Sequence, residues 1–454
     1  MPIEQLMERA AQGARLIRSL PPDTRILARS HYDTDGLTAA AVVSLTLARA
    51  KKKFRMGISR DQSPEFFRSL AKENPQAIVV SDFGSGSVQV LEAHKLPTVI
   101  LDHHISNPAG HDGTTDSFVH VNAHLVGVNG TTEASASTVS FAFAIAMGDE
   151  NWDLAGIALT GAHGDRQHVP AFSGWNSWVL AEAKKRHVVV EKPGPRLPEV
   201  PLVEALSECV DPFLQGLAGN KGATQQFLKG LGIDPAKTLG QLDGAQHEKF
   251  ASAMAVQMAK QGSLEESIKE FLGPRLMVSR LNLPMEEASD LCNACGREGM
   301  PEEGVALLLG DMDARAKARE MAQRYRRKIL DGMLTLEKKP PREHDAIRSF
   351  EGLDTAYVGQ VCGLSMVHLV KKDKPLLGYA VDAKDAKFSG RGTAALIAKG
   401  LNLATAMNEG ASRVGGHGGG HPIASGATVP KDRVEEFLGS VDAIVAKQLG
   451  TRHG

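Results

Sequence analysis

Cysteine is scarce in this chain, four residues in 454, too few for a disulfide framework, and a reducing compartment is expected. Nor does any stretch approach the ~20 uninterrupted apolar residues of a membrane span. The first residues, MPIEQLMERAAQGARL, show neither the apolar run nor the cleavage site of a secretory signal, so the expected location is cytoplasmic. An excess of charge of either sign is missing too: 52 basic and 53 acidic side chains leave a formal net charge of −1. That balance argues against a chain that coats nucleic acid nonspecifically, although a local basic groove is enough to hold a polynucleotide. Internal repeats and low-complexity tracts are absent. What remains is an ordinary globular composition, 42% hydrophobic and 23% charged, in a chain long enough for two or three domains.

The first 170 residues alternate helix-like and strand-like segments. An amphipathic helix over 4–20 ends at Pro21-Pro22, a strand follows over 24–30, and an Ala/Val/Leu-rich helix spans 37–50. A strand near 54–58 precedes a helix opened by Ser63-Pro64-Glu65. Strand 77–81, a short helix near 86–93 and strand 98–101 complete an α/β alternation. Thr131-Thr132-Glu133 opens a further helix to about Met147, and 153–162 reads as helix.

Four short segments carry the acidic and histidine side chains: "HYDTDG" (His31 to Gly36), "VVSDFG" (Val79 to Gly84), "LDHH" (Leu101 to His104) and "GAHGDRQ" (Gly161 to Gln167). The first three follow apolar runs that read as buried strands. Side chains at the carboxyl ends of neighbouring parallel strands converge on one crevice. That crevice is expected to hold Asp33, Asp35, Asp82, His103 and Asp165, with His31 close by. Four buried carboxylates repel one another unless cations neutralise them. Mixed oxygen and imidazole donors suit manganese, with magnesium or cobalt as substitutes. Gly36 and Gly84 fit the tight strand-to-helix turns such a crevice needs.

In that order, "DTDG", "SD", "DHH" and "GD" resemble the DHH phosphoesterase superfamily. "KFSGRGTAALIAKGLNLATAMNEG" (Lys387 to Gly410) and "GGHGGGHPIASGA" (Gly415 to Ala427) are similar to the DHH-associated domain. With a long insert between them, the pair looks most like RecJ-type exonucleases, and within that group like the archaeal GINS-associated nucleases. The resemblance covers roughly residues 22–170 and 350–430. It implies an α/β protein with a parallel-sheet DHH catalytic domain (1–192), a mainly helical insert and linker (193–342), and a smaller α/β DHH-associated substrate-binding domain (343–454).

The resemblance also implies roles. Asp82 becomes a ligand shared by two divalent ions. Asp33, completed by His31, serves one ion, and Asp35, His103 and Asp165 serve the other. Asp102 orients an imidazole, and His104 faces the phosphate. Ser389, Arg391, Gly419, Gly420 and His421 bind substrate, the glycines as a loop whose N–H groups approach phosphate oxygens. A guanidinium such as Arg391 offers a bidentate fork. The implied activity is manganese-dependent, single-strand-specific exonucleolytic hydrolysis, in replication or repair, with GINS and the replicative helicase as partners. The alternatives are an oligonucleotide or cyclic-dinucleotide phosphodiesterase and a replisome scaffold with little nuclease role.

Other features have plainer readings. Cys292 and Cys295 have zinc-like spacing but no second pair nearby, and read as two thiols on one helix face. Pro193, Pro195, Pro198 and Pro201 mark a boundary, and 202–335 reads mostly helical, ending in a basic helix over 315–328. That helix is either a solvated face or one wall of a nucleic-acid channel. Trp175 and Trp178 read as core rather than as stacking platforms for bases. Strand-like runs at 354–361, 364–370 and 375–381 and helices at 391–400 and 431–448 complete the carboxyl-terminal region.

Overall fold

A computed structural model describes residues 2–105 and 114–450. In chain order the first elements are α1 (Pro2–Ser19), β1 (Ile26–His31), α2 (Thr34–Arg49), β2 (Phe54–Ser59), α3 (Pro64–Ser69), β3 (Ala77–Ser81), α4 (Val88–Glu92) and β4 (Thr98–Asp102). Next come β5 (Phe118–Asn122), α5 (Ala136–Met147), α6 (Ala155–Gly164), α7 (Gly174–Lys185) and β6 (Val189–Lys192). Four helices follow, α8 (Leu202–Ser207), α9 (Lys221–Gly230), α10 (Gly244–Lys260) and α11 (Glu265–Leu272). The chain continues through β7 (Arg275–Val278), β8 (Leu283–Pro284), α12 (Met285–Arg297), α13 (Pro301–Leu309) and α14 (Met312–Lys338). Last are β9 (Arg342–Glu343), β10 (Arg348–Glu351), α15 (Val358–His368), β11 (Leu376–Val381), β12 (Asp385–Arg391), α16 (Ala394–Ala398), α17 (Leu403–Arg413), β13 (His417–Gly420), β14 (Ala424–Pro430) and α18 (Val434–Leu449). Among the described residues no helix is long and apolar enough to cross a membrane.

The chain forms two compact units, one of residues 1–196 and 273–323, the other of 197–272 and 324–454. The segment 193–342 is thus shared between them, and α14 runs through the division.

The first unit is built on a five-stranded sheet in the order β2-β1-β3-β4-β5, parallel throughout. A parallel sheet needs cover on both faces, and its strands read as apolar runs. Ala77, Ile78, Val79 and Val80 of β3 are accordingly all buried. Ile78, Val80, Leu27 and Ile100 pack with Phe67, Leu70, Phe83 and Leu91. Helix α2 is alanine-rich and buried along most of its length, and it packs on both α5 and α6. The strand order reverses between β1 and β3, and side chains at the carboxyl ends of β1, β3 and β4 therefore open into one crevice. Gly84 takes φ +112°, a left-handed turn that keeps the chain after β3 within reach of it. A small antiparallel sheet, β6-β7-β8, completes this unit.

The second unit holds a six-stranded sheet in the order β13-β14-β12-β11-β10-β9. Only β10 and β11 pair in parallel, with α15 as their crossover. A separate apolar cluster, including Leu206, Leu228, Phe250, Met254 and Met258, ties α8 to α11 together.

Several expectations are corrected. Strand β5 lies where the sequence pattern predicts none. The runs 354–361 and 364–370 are not strands but the start and body of α15. A short apolar run rich in valine and glycine has no decisive period, and its environment chooses. The helix expected over 391–400 is preceded by strand β12, which ends on Arg391, and only α16 remains of it. Helix α5 starts at Ala136, not at 131, because Ser135 and Thr138 form a capping box there. Trp175 is fully buried, and its indole N–H donates to the Thr138 carbonyl at 2.8 Å. Trp178 stacks on Trp175 but is partly exposed, so only the first of the two is core. Cys292 and Cys295 share α12 and are both buried.

Gly161 is where α6 comes closest to its neighbours. A Cβ there would lie 2.2 Å from Ser137 Oγ, 2.2 Å from Thr38 Oγ1 and 2.5 Å from Asp35 Oδ1. Those atoms sit on helices α2 and α5 and have nowhere to retreat. Gly161→Ala is expected to lose about 1–3 kcal/mol through overpacking, measured as a lower urea midpoint at unchanged slope.

Candidate metal centre and phosphate-binding strand

Asp33 caps α2, its Oδ1 accepting from the Gly36 N–H at 3.1 Å. Its Oδ2 lies 3.0 Å from His31 Nδ1 at the end of β1. Asp82, immediately after β3, holds φ +61°, a left-handed conformation costly for a residue with a Cβ. That turn leaves its carboxylate 2% exposed, with Oδ2 3.4 Å from His31 Nδ1 and Oδ1 3.5 Å from His103 Nε2. Asp165, just past the end of α6, brings Oδ2 to 3.5 Å from the same nitrogen. Asp35 brings Oδ2 to 3.8 Å from it.

The surroundings fix these groups. His103 donates Nδ1–H to the Gly130 carbonyl at 2.6 Å, which turns Nε2 toward three carboxylates. The Gly130 carbonyl also accepts from Gln167 Nε2 at 2.9 Å, and Gln167 is held in turn by Asn176. Asp35 accepts from the Ala136 and Ser137 N–H groups at 2.7 and 3.0 Å. Those are the first residues of α5, so its dipole supports the charge. Asp102 is buried and accepts from Ser85 N–H at 2.9 Å, His103 N–H at 2.7 Å, His104 N–H at 3.2 Å and His104 Nδ1–H at 2.8 Å. His104 is half-exposed, with its Nε2 edge away from Asp102.

Charge crowding shows in the titration of the cluster. Burial, with Asp33 and Asp35 beside it, pushes Asp82 up to about 6. Burial and Asp35 also hold Asp165 well above the usual carboxylate range. Burial would lower His31, but the Asp33 and Asp82 carboxylates close beside it outweigh burial and raise the imidazole to about 10. His103 is raised by Asp82, Asp35 and Asp165 against the opposing effect of burial. Burial would likewise raise Asp102, yet His104 and its other donors hold it well below the usual range.

These residues fit a metal. His31 Nδ1 and Asp82 Oδ2 are buried and make no hydrogen bond of acceptable geometry, although buried polar atoms otherwise find partners. Potential donor atoms lie within 4.8 Å of one another in three overlapping groups, His31/Asp33/Asp82, Asp35/His103/Asp165 and Asp82/His103/His104. Asp82 belongs to two of them, the position a shared ligand needs.

In the second unit, Ser389 and Arg391 lie on β12. Arg391 Nη1 donates to Ser389 Oγ at 2.8 Å and to the Gly390 carbonyl at 2.9 Å. Its guanidinium crosses the glycine face of α15. A Cβ on Gly359 would lie 3.9 Å from Nη2, and one on Gly363 would lie 3.7 Å from Nε. The glycine-rich segment, expected as a loop, is instead a hairpin: Gly419 pairs with Gly426 and Gly420 with Ser425. Its turn closes by His421 N–H donating to the Ala424 carbonyl at 2.9 Å. Strand β13 is the edge of the sheet, and its glycines give close access to the backbone. His421 is exposed beside the turn.

Reading the residues alone does not find Gly130, Gln167 or the amino end of α5 as supports. Gln167 stands inside "GAHGDRQ" and is a detectable signal, whereas a backbone carbonyl leaves none.

Comparison with known proteins places the chain in a family. Residues 25–162 match the DHH family, N-terminal domain, and residues 349–447 match the DHHA1 domain. An uncharacterized protein of Methanocaldococcus jannaschii is 32% identical over 426 residues, 92% of this chain and 93% of that protein. RecJ of Thermus thermophilus, solved in complex with Mn2+, has the same fold at 18% identity and a TM-score of 0.58, covering 97% of this chain but 55% of that one. CDC45 of Entamoeba histolytica aligns at 11% identity and a TM-score of 0.63, over 98% of each chain. The chain belongs to the DHH family and has a RecJ-like fold, with a DHH and a DHHA1 domain.

Proposed function

We propose that the protein is a metal-dependent phosphodiesterase that removes nucleotides from an end of single-stranded nucleic acid, DNA or RNA. The observation that carries this reading is the convergence of His31, Asp33, Asp35, Asp82, His103 and Asp165, with two buried donor atoms left without hydrogen bonds. His31, Asp33 and Asp82 would hold one divalent ion; Asp35, His103 and Asp165, with Asp82 shared, would hold a second. Manganese is the first choice for mixed oxygen and nitrogen donors, and magnesium or cobalt the substitutes; the Mn2+ of the Thermus RecJ supports that choice. Two such ions would make water a nucleophile at neutral pH and take up charge on the transferring phosphoryl group.

The chain's own residues supply the rest. His104 presents Nε2 toward a phosphate oxygen while Asp102 holds its other nitrogen. Asp102 itself stays ionised and orients. In the second unit Ser389, Arg391, His421 and the backbone of Gly419 and Gly420 bind phosphate, the guanidinium by a two-pronged contact. The domain division at 192 and 342 remains part of this proposal.

A scaffold reading has one observation in its favour, the full-length likeness to CDC45. A partnership with GINS and the replicative helicase rests on the sequence resemblance and that likeness. The discriminating experiment is digestion of end-labelled single-stranded DNA and RNA with manganese, resolved nucleotide by nucleotide, beside blunt duplex. Stepwise shortening of single strands and little attack on duplex are expected, because unpairing costs about 1.4 kcal/mol per step. No cleavage of any strand would leave the scaffold.

Two substitutions test the roles. Asp82→Asn is expected to lower hydrolysis on the order of 10³-fold or more by removing a ligand common to both ions. Manganese at about 100 times its Kd should stabilise the unsubstituted protein by about 2.7 kcal/mol, and Asp82→Asn should lose most of that thermal shift. Arg391→Ala should raise KM for oligonucleotides roughly tenfold, about 1.4 kcal/mol of phosphate binding, and leave the manganese shift in place. Loss of the shift instead would show that Arg391 supports the fold of the centre.

A further inference from the structure

Behind His104 lies a buried polar network that takes no part in the roles above. Asn122, the last residue of β5, is fully buried. It spends both amide N–H groups on the site: one donates to the His104 carbonyl at 2.9 Å, the other to Ser85 Oγ at 2.8 Å. Its own Oδ1 accepts from the His124 N–H at 2.8 Å. A flipped amide would set oxygen against the His104 carbonyl and nitrogen against a donor, so only this orientation satisfies the site. Ser85, 2% exposed, accepts from Asn122, which frees its O–H to donate to His120 Nε2, 2.8 Å away. Its backbone N–H donates to Asp102 Oδ2 at 2.9 Å.

The consequence is a clamp on one imidazole. Asp102 Oδ1 holds the N–H groups of His103 and His104, while Asn122 holds the His104 carbonyl from the other side. The main chain of the turn is therefore pinned at three points, and Asp102 pins the ring through Nδ1. With backbone and one ring nitrogen fixed, Nε2 has a single direction. Three buried polar side chains at the end of a covered strand would destabilise the fold unless fully paired, and fully paired they rigidify what they touch. Apolar residues at these positions would serve packing alone.

We infer that Asn122 and Ser85, which cannot touch substrate, are positioning residues that hold His104 with its Nε2 edge toward the reacting phosphate. The inference rests on the phosphodiesterase reading for its kinetic consequence and on geometry alone for its structural one.

The test is a double-mutant cycle in the full chain, read beside a spectrum that needs no turnover. Asn122→Ala is expected to lower kcat about 10–100-fold, as removal of such outer partners does, with KM moving much less. In a His104→Ala background the same change should cost less than about twofold, because a residue that acts through another loses its effect when that one is gone. Equal losses in both backgrounds overturn the inference. Ser85→Ala, which keeps every main-chain bond, repeats the cycle if Asn122→Ala does not fold. Independently, 15N-histidine spectra of the metal-free protein should show His104, identified by its absence in His104→Ala, locked with hydrogen on Nδ1. Asn122→Ala should give a broadened or mixed-tautomer signal, and an unaltered His104 signal counts against the clamp. A wild-type protein that cleaves nothing defeats the phosphodiesterase reading, and the spectra still decide this one.

Discussion

Mutual repulsion among Asp33, Asp35, Asp82 and Asp165 is the constraint around which the first unit is arranged. Like charges crowded into one crevice cannot all ionise without compensation. Raised carboxylates and raised imidazoles are the two sides of that conflict. The fold meets it with fixed devices. Strand ends at the reversal of strand order place the groups, the amino end of α5 stabilises Asp35, and the Gly130 carbonyl turns His103 so that Nε2 faces inward. Two atoms, His31 Nδ1 and Asp82 Oδ2, are left over. A divalent cation would satisfy both and neutralise the rest.

What is legible in the chain follows from this chemistry. Acids at the ends of apolar runs announce parallel strands with a site at their tips, and β1, β3 and β4 lie close to where those runs predict them. The supports are hidden because they are made by backbone atoms or by residues distant in sequence. The capping box at Ser135 shows the difference: "GTTEASAS" (Gly130 to Ser137) offers several starts for a helix, and the one taken also aims the Ala136 and Ser137 N–H groups at Asp35. Strand β5 escapes a sequence reading for a related reason. Phe118-Val-His-Val-Asn is short and mixed, and only its place beside β4 makes it a strand.

In the second unit, the same limits act on a different motif. A glycine-crowded stretch reads as a loop because glycine favours neither helix nor strand. Pairing with β14 makes it an edge strand. Glycine there keeps side chains off the backbone, and His421 stands exposed at the turn. The valines and glycines of α15 suggest strands, yet Gly359 and Gly363 have a positive use. They keep the helix face bare where the Arg391 guanidinium lies beside it.

The conflict among the carboxylates also bears on whether this chain works chemically or only as a scaffold. Without a cation, the Asp82 cluster opposes folding: burying a carboxylate next to two others has a free-energy cost, and asparagine at that position would relieve it. A purely structural protein gains nothing from such a cluster, and nothing from holding Asp82 at a positive φ. Nor does it need Asp102 and Asn122 to hold one half-exposed imidazole in a single orientation. Strain, buried polar atoms without hydrogen bonds and a fixed imidazole are each tolerable alone. All three fall within one crevice here, and stored local strain gathers at functional sites. The likeness to CDC45 describes the frame on which the crevice is built; the crevice itself is a cluster of carboxylates and imidazoles suited to divalent cations.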